Sequence, residues 1–155
     1  MNVQKKNNEK GFTIIEVVLV LAIAALIFLM VFIALPALQR SQRDTQRKND
    51  MSRVLTAIQN YQSNNRNALP DDSTLTTGDF TNKYLKVGGD SFTDPNGTDY
   101  VFTTSAVPSS FTGNGAVTFT KHAVCDGESL KTSQGGQKIA FQYKLEGGGV
   151  DCVSN

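Results

Sequence analysis

Between Phe12 and Leu35 lie 24 residues whose only strongly polar member is Glu16, with Thr13 a mild second. As a helix, a run of this length crosses the hydrocarbon core of a bilayer. A carboxylate inside it demands a reason. Placing an acid at the middle of a membrane helix costs roughly 2.5–3.5 kcal/mol on insertion scales and less near an end, so an intramembrane Glu is by default a functional residue.

The residues ahead of the run are short and basic, with Lys5, Lys6 and Lys10 followed by Gly11. A secretory signal would use these lysines, the apolar stretch Ile14 to Leu21 and an Ala22-Ile23-Ala24 cleavage box. Its product would begin at Ala25 and lead with Leu26-Ile27-Phe28-Leu29-Met30-Val31-Phe32-Ile33, an apolar tail with no place on a soluble protein. A plain uncleaved anchor, with Glu16 reaching toward the headgroups, is the other alternative. Charge does not fix the orientation, because Arg40, Arg43, Arg47 and Lys48 follow the span as closely as the lysines precede it.

The segment Lys10-Gly11-Phe12-Thr13-Ile14-Ile15-Glu16 resembles the class III leader site of type IV pilins and pseudopilins. The likeness is close from Lys10 to about Tyr61 and loose beyond it. It implies that a membrane prepilin peptidase cuts between Gly11 and Phe12 on the cytoplasmic side and methylates the new amine of Phe12. It further implies that Glu16 meets the N-terminal amine of a neighbouring subunit during assembly. Cleavage creates that cation, and an acid in apolar surroundings gains most from a partner.

Removing residues 1–11 leaves 12 basic and 13 acidic side chains, so charge suggests no broad polyanion or polycation partner. Glycine is absent from Phe12 to Thr77, and Pro36 and Pro70 are the only prolines there, which predicts one long helix from Phe12 to about Asn65. In its second half Met51, Val54, Leu55, Ile58 and Tyr61 form an apolar stripe, with Gln59, Asn60 and Ser63 facing away. Pro36 lacks an N–H and crowds the carbonyl of Phe32, so a helix break, as a kink or local melt, is expected there. Pilin filaments, which the sequence resembles, have an unwound segment near such a proline.

Beyond Asn67 to Asp72 the composition shifts to Gly, Thr, Ser and Asp. Ile139, Phe141, Tyr143 and Leu145 alternate with polar residues as the best strand, and Tyr100 to Thr103 and Val117 to Thr120 are weaker ones. Gly135-Gly136 and Gly147-Gly148-Gly149 mark bends. Asp94-Pro95-Asn96-Gly97-Thr98-Asp99-Tyr100 is a turn feeding a strand, and it resembles an Asp-Pro-x-Gly-x-x-Tyr segment of pseudopilins. Cys125 and Cys152, in a domain that the leader delivers outside the cytoplasm, favour a disulfide over two free thiols. That pairing resembles the C-terminal disulfide loop of type IV pilins.

Little else carries chemistry. His122 precedes Cys125 without a second histidine or a Cys-x-x-Cys, and no phosphate-binding loop occurs. Asp90, Asp94 and Asp99 match no calcium loop and read as solvated turn acids, and Asn96-Gly97-Thr98 is a formal glycosylation sequon within a turn. No catalytic residue, metal or cofactor is expected. Arg40, Arg43 and Arg47 share a helix face and suit anionic headgroups or a neighbour's acids. Nucleic acid is a weaker reading of that stripe, which lacks interleaved aromatics.

The expectation is therefore an α+β, type IV pilin-like chain. It comprises a leader (1–11), a transmembrane and filament-core helix (12–35), an amphipathic continuation (36–67) and a head with a small antiparallel sheet and a C-terminal disulfide loop (68–155). The precursor would cross the cytoplasmic membrane once, contacting lipid, prepilin peptidase and assembly machinery. It would then polymerise with itself and other pilins at the cell surface for adhesion, twitching motility or DNA uptake. A pseudopilin of a type II secretion-like system is the alternative, and a single-pass membrane-anchored receptor or enzyme is the alternative of another class.

Overall fold

The computed structural model describes residues 11–155, so Lys5, Lys6, Lys10 and the rest of the expected leader before Gly11 lie outside the described residues. The chain divides into two units, one up to Leu38 and one from Gln39 to Asn155. The first contributes the apolar half of helix α1 (Ile14–Asn64). Its large side chains from Ile14 to Leu35 are uncovered, as expected of a surface that apolar surroundings, not water, must solvate. Among the described residues α1 is the one helix long and apolar enough to cross a membrane. Helical structure continues through Pro36, where a kink or local melt was expected. Proline removes one N–H, while Ala34, Leu35, Ala37 and Leu38 around it are good helix formers and no glycine adds a second weakness.

In the second unit, α1 buries Met51, Val54, Ala57 and Ile58 against the head and leaves Gln59, Asn60 and Ser63 exposed, as the stripe requires. The helix ends where Arg66 and Asn67 take positive φ (53° and 67°) and Asn67 N–H donates back to the Gln62 carbonyl at 2.8 Å. Two short helices follow, α2 (Asp72–Thr76) and α3 (Asp79–Tyr84), which place Leu75 and Phe80 in the core. Neither is long enough to show a helical period in the sequence.

Strands β1 (Val101–Thr103), β2 (Ala116–Lys121), β5 (Ile139–Lys144) and β6 (Val150–Ser154) form one sheet in the order β1-β2-β5-β6. A hairpin of β3 (Val124–Asp126) and β4 (Ser129–Lys131) stands apart from it. The expected small antiparallel sheet is present in β2-β5-β6, and β1 joins it in parallel to β2 with Phe102 opposite Val117. The irregular residues 104–115 carry the chain back to the start of β1 before β2 begins, a crossover of the length a parallel pair needs. Gly115 makes that return feasible. It has φ +67°, and a Cβ there would lie 2.3 Å from the Asp99 carbonyl oxygen. On β5, Ile139, Phe141 and Tyr143 are buried and Gln142 and Lys144 are half-buried, and Phe141 packs edge-on to Phe102 at 5.7 Å between ring centres.

One charged residue is central to this core. Arg47 of α1 is 0% exposed, and its Nε and Nη2 donate to both oxygens of Asp94, itself 1% exposed, at 2.7 and 2.9 Å. Its Nη1 reaches Asp44 at 2.9 Å and Glu146 at 3.3 Å, and its guanidinium stacks over Phe111 at 4.6 Å. Tyr143 donates its hydroxyl to Asp94 at 2.6 Å, and the backbone N–H groups of Glu146 and Gly147 donate to Asp44 at 3.0 and 2.7 Å. Asp94 is therefore no solvated turn acid, and Asp90, Asp94 and Asp99 do not converge. Asp90 faces Arg53 at 3.5 Å, and Asp99 faces Lys86 at 2.9 Å.

Breaking a buried pair leaves the other charge uncompensated. Arg47→Ala should lower the stability of the head by about 3–5 kcal/mol. Arg47→Lys, which keeps the charge but loses the two-pronged geometry, should recover only part of this. Thermal and urea unfolding followed by near-ultraviolet circular dichroism checks both. A cost for Arg47→Ala under about 1 kcal/mol, the value of a surface pair, would show that the pair does not anchor the head.

Candidate processing and assembly site

The site begins with three residues that precede the helix. Gly11, Phe12 and Thr13 are exposed and non-helical, nothing lies within 4 Å of a Cβ built on Gly11, and Phe12 is 90% exposed. The Gly11–Phe12 peptide is thus uncovered. Helix α1 starts immediately after it, and Thr13 and Glu16 close the start between them. The Thr13 N–H and hydroxyl both donate to the Glu16 carboxylate at 2.8 Å, and the Glu16 N–H lies 3.4 Å from the Thr13 hydroxyl oxygen. This is a reciprocal cap, which satisfies donors that the first turn of a helix otherwise leaves unpaired. A carboxylate at that position also meets the positive end of the helix.

The cap gives Glu16 a role within a single chain that the expectation of a partner amine did not include. Its signal was in the sequence, as Thr13-x-x-Glu16 directly before an apolar run.

A family model described as the prokaryotic N-terminal methylation motif matches residues 6–32. The chain carries a class III leader of the type IV pilin and pseudopilin kind. No curated protein and no solved structure matches the chain. The leader match covers Lys6, Lys10, Gly11, Phe12, Glu16 and most of the apolar run, and ends before Pro36. The class III leader and the long apolar helix are together consistent with a membrane-anchored precursor. The head stands on its own geometry, an α+β unit of the pilin-like type.

The remaining residues singled out in the sequence are distributed through the head. Cys125 on β3 and Cys152 on β6 are bonded, with their Cα atoms 5.8 Å apart, so the β3–β4 hairpin is stapled to the edge of the main sheet. His122 lies on the turn after β2 with φ 55°. The proposed arginine surface is corrected. Arg43 pairs with Glu146 through Nε at 2.8 Å and Arg47 is buried, leaving Arg40, 59% exposed and 3.7 Å from Glu146, as the open member. With two of the three cations neutralised inside the chain, the stripe offers no continuous surface to headgroups or nucleic acid.

Alkylation of the exported chain without reduction should find no labelled cysteine. Replacing both Cys125 and Cys152 by Ser should cost about 3.5 kcal/mol, the chain-entropy value for a loop of this size. Free thiols in protein collected from the cell surface would contradict this reading of the head.

Proposed function

We propose that this chain is a structural subunit of a type IV pilus-like filament. Prepilin peptidase cuts between Gly11 and Phe12, the new amine is methylated, and the subunit polymerises through residues 12–35 with the head displayed outside. The observation that carries this is a class III leader joined to a helix whose large apolar side chains are uncovered from Ile14 to Leu35. A surface of that kind requires lipid before assembly and other copies of the same helix after it. Its partners are accordingly further copies of itself, other pilins, the peptidase and the membrane assembly machinery.

Glu16 fits this scheme at both stages. In the precursor, Thr13 holds the carboxylate and lowers the cost of carrying it into the bilayer. In the filament the Phe12 amine of a neighbour neutralises it, where low polarity makes the pairing strong. Adhesion, twitching motility and DNA uptake are the roles this architecture serves. The arginine pairing in the head speaks against DNA contact along α1.

A pseudopilin of a type II secretion-like system is the second reading, favoured by the segment from Asp94 to Tyr100. Both ends of it are anchored to α1, Asp94 by Arg47 and Tyr100 by a hydroxyl bond to Asp50 at 3.1 Å. A membrane-anchored receptor or enzyme would instead retain its N-terminus and stay in the membrane as single copies.

Two substitutions separate capping from assembly. Glu16→Gln keeps an oxygen that can accept from Thr13 but has no charge to offer an amine, whereas Glu16→Ala removes both. If Glu16 pairs with a neighbour's amine, both variants should insert and fold, and both should fall at least about tenfold in sheared surface filaments, the size of a lost 1.4 kcal/mol interaction per subunit. Assembly of Glu16→Gln at wild-type level would show that the acid serves only its own helix.

A further inference from the structure

Helix α1 grips the head in two chemically different ways, and the boundary falls at Met51. Every residue that α1 buries ahead of that point is ionisable: Asp44, Arg47 and Asp50. From Met51 onward the buried face is Met51, Val54, Ala57 and Ile58, closed by Gln62. We propose that the charged grip, residues 43–50, is an acid-sensitive clasp that opens while the apolar grip, residues 51–62, stays closed.

The groups that face the clasp come from four places. From α1 itself come Arg40, Arg43, Asp44, Arg47, Asp50 and Arg53. The segment before β1 supplies Asp90, Asp94 and Tyr100. Strand β5 supplies Tyr143, and the turn after it supplies Glu146. On β6, Asp151 lies near Lys48, with one buried oxygen that has no hydrogen-bond partner.

The acids respond to pH in opposite directions. Burial pushes the Asp94 carboxyl up, but hydrogen bonds from Arg47, Tyr143 and the Asn96 N–H outweigh it and hold the group below the ordinary value. Arg43 and then Arg47 likewise hold Glu146 low, against a smaller effect of burial. A carboxylate held low stabilises the fold above its unfolded value, and this stabilisation disappears as pH falls through the folded value. Asp50 and Asp151 are pushed up by burial, against Tyr100 and Arg53 for the first and Lys48 for the second. They take up a proton earlier, and doing so favours the folded state. Opening is therefore set by Asp94 and Glu146 and belongs below about pH 4, near and under the ordinary carboxylate range.

Once those acids are neutral, Arg47 is left as a buried cation with Asp44 alone of its three acids as a counter-charge. The apolar contacts from Met51 onward carry no ionisable group whose protonation would loosen them. The phenols of Tyr100 and Tyr143 are pushed upward, first by burial and then by Asp50 and Asp94 respectively, so they remain protonated and play no part in the switch.

Hydrogen exchange of the full chain in detergent micelles, corrected for intrinsic rates, tests the clasp at pH 7 and pH 3. Amides of residues 43–50 should lose at least about tenfold in protection at pH 3, one pKa unit's worth, while those of residues 54–62 change by less than about threefold. Asp94→Asn, which imitates the protonated acid, should show the loosened 43–50 pattern already at pH 7. Loss of protection in both segments together, or in neither, in the wild-type chain at pH 3 would overturn the proposal. The wild-type pair of measurements is sufficient whether or not the variant folds.

Discussion

Arg47 is a full positive charge with no contact to water, and the arrangement of the head follows from keeping it neutralised. A guanidinium can be buried only if its donors are matched, and here Asp94, Asp44 and Glu146 surround it. Two of those acids are themselves tied to backbone. Asp94 accepts from the Asn96 N–H inside the turn, and Asp44 accepts from Glu146 and Gly147 at the bend between β5 and β6. One side chain of α1 thereby fixes two connections that have little apolar surface of their own. Burial alone would lower the basicity of Arg47, but its partners reverse the direction, Asp94 foremost, so it stays charged.

That dependence explains where the sequence was legible and where it was not. The apolar stripe of α1 and strand β5 repeat at helical and strand periods, and both are placed as read. Strand β6 escaped notice because Val150, Asp151, Cys152, Val153 and Ser154 are all half-buried, and no alternation distinguishes its faces. The β3–β4 hairpin and helices α2 and α3 are each too short to show a period, and contact with the rest of the fold defines them. The parallel pairing of β1 with β2 depends on the path of residues 104–115, which follows no repeating pattern.

The arginines were misjudged for a related reason. A run of Arg40, Arg43 and Arg47 on one helix face looks like a surface for anions when only neighbours in sequence are visible. The neutralising acids, Asp94 and Glu146, come from far along the chain, and nothing local marks them as partners. At the other end of α1 the partner was local: Thr13 and Glu16 are three residues apart, and their cap was readable from spacing alone. Helix α1 thus carries an acid at its head and a buried base in its second half, each satisfied by a different logic. Between them lies an apolar surface that the chain itself leaves uncovered.

The mass of the mature chain bears on all of this at once. A leader cut between Gly11 and Phe12 leaves residues 12–155 with one methyl group on the Phe12 amine and the Cys125–Cys152 bond intact. Intact-mass and N-terminal fragment mass spectrometry of the chain recovered from the cell envelope should find that species. A chain that retains Met1, or one that starts at Ala25, would contradict the pilin reading.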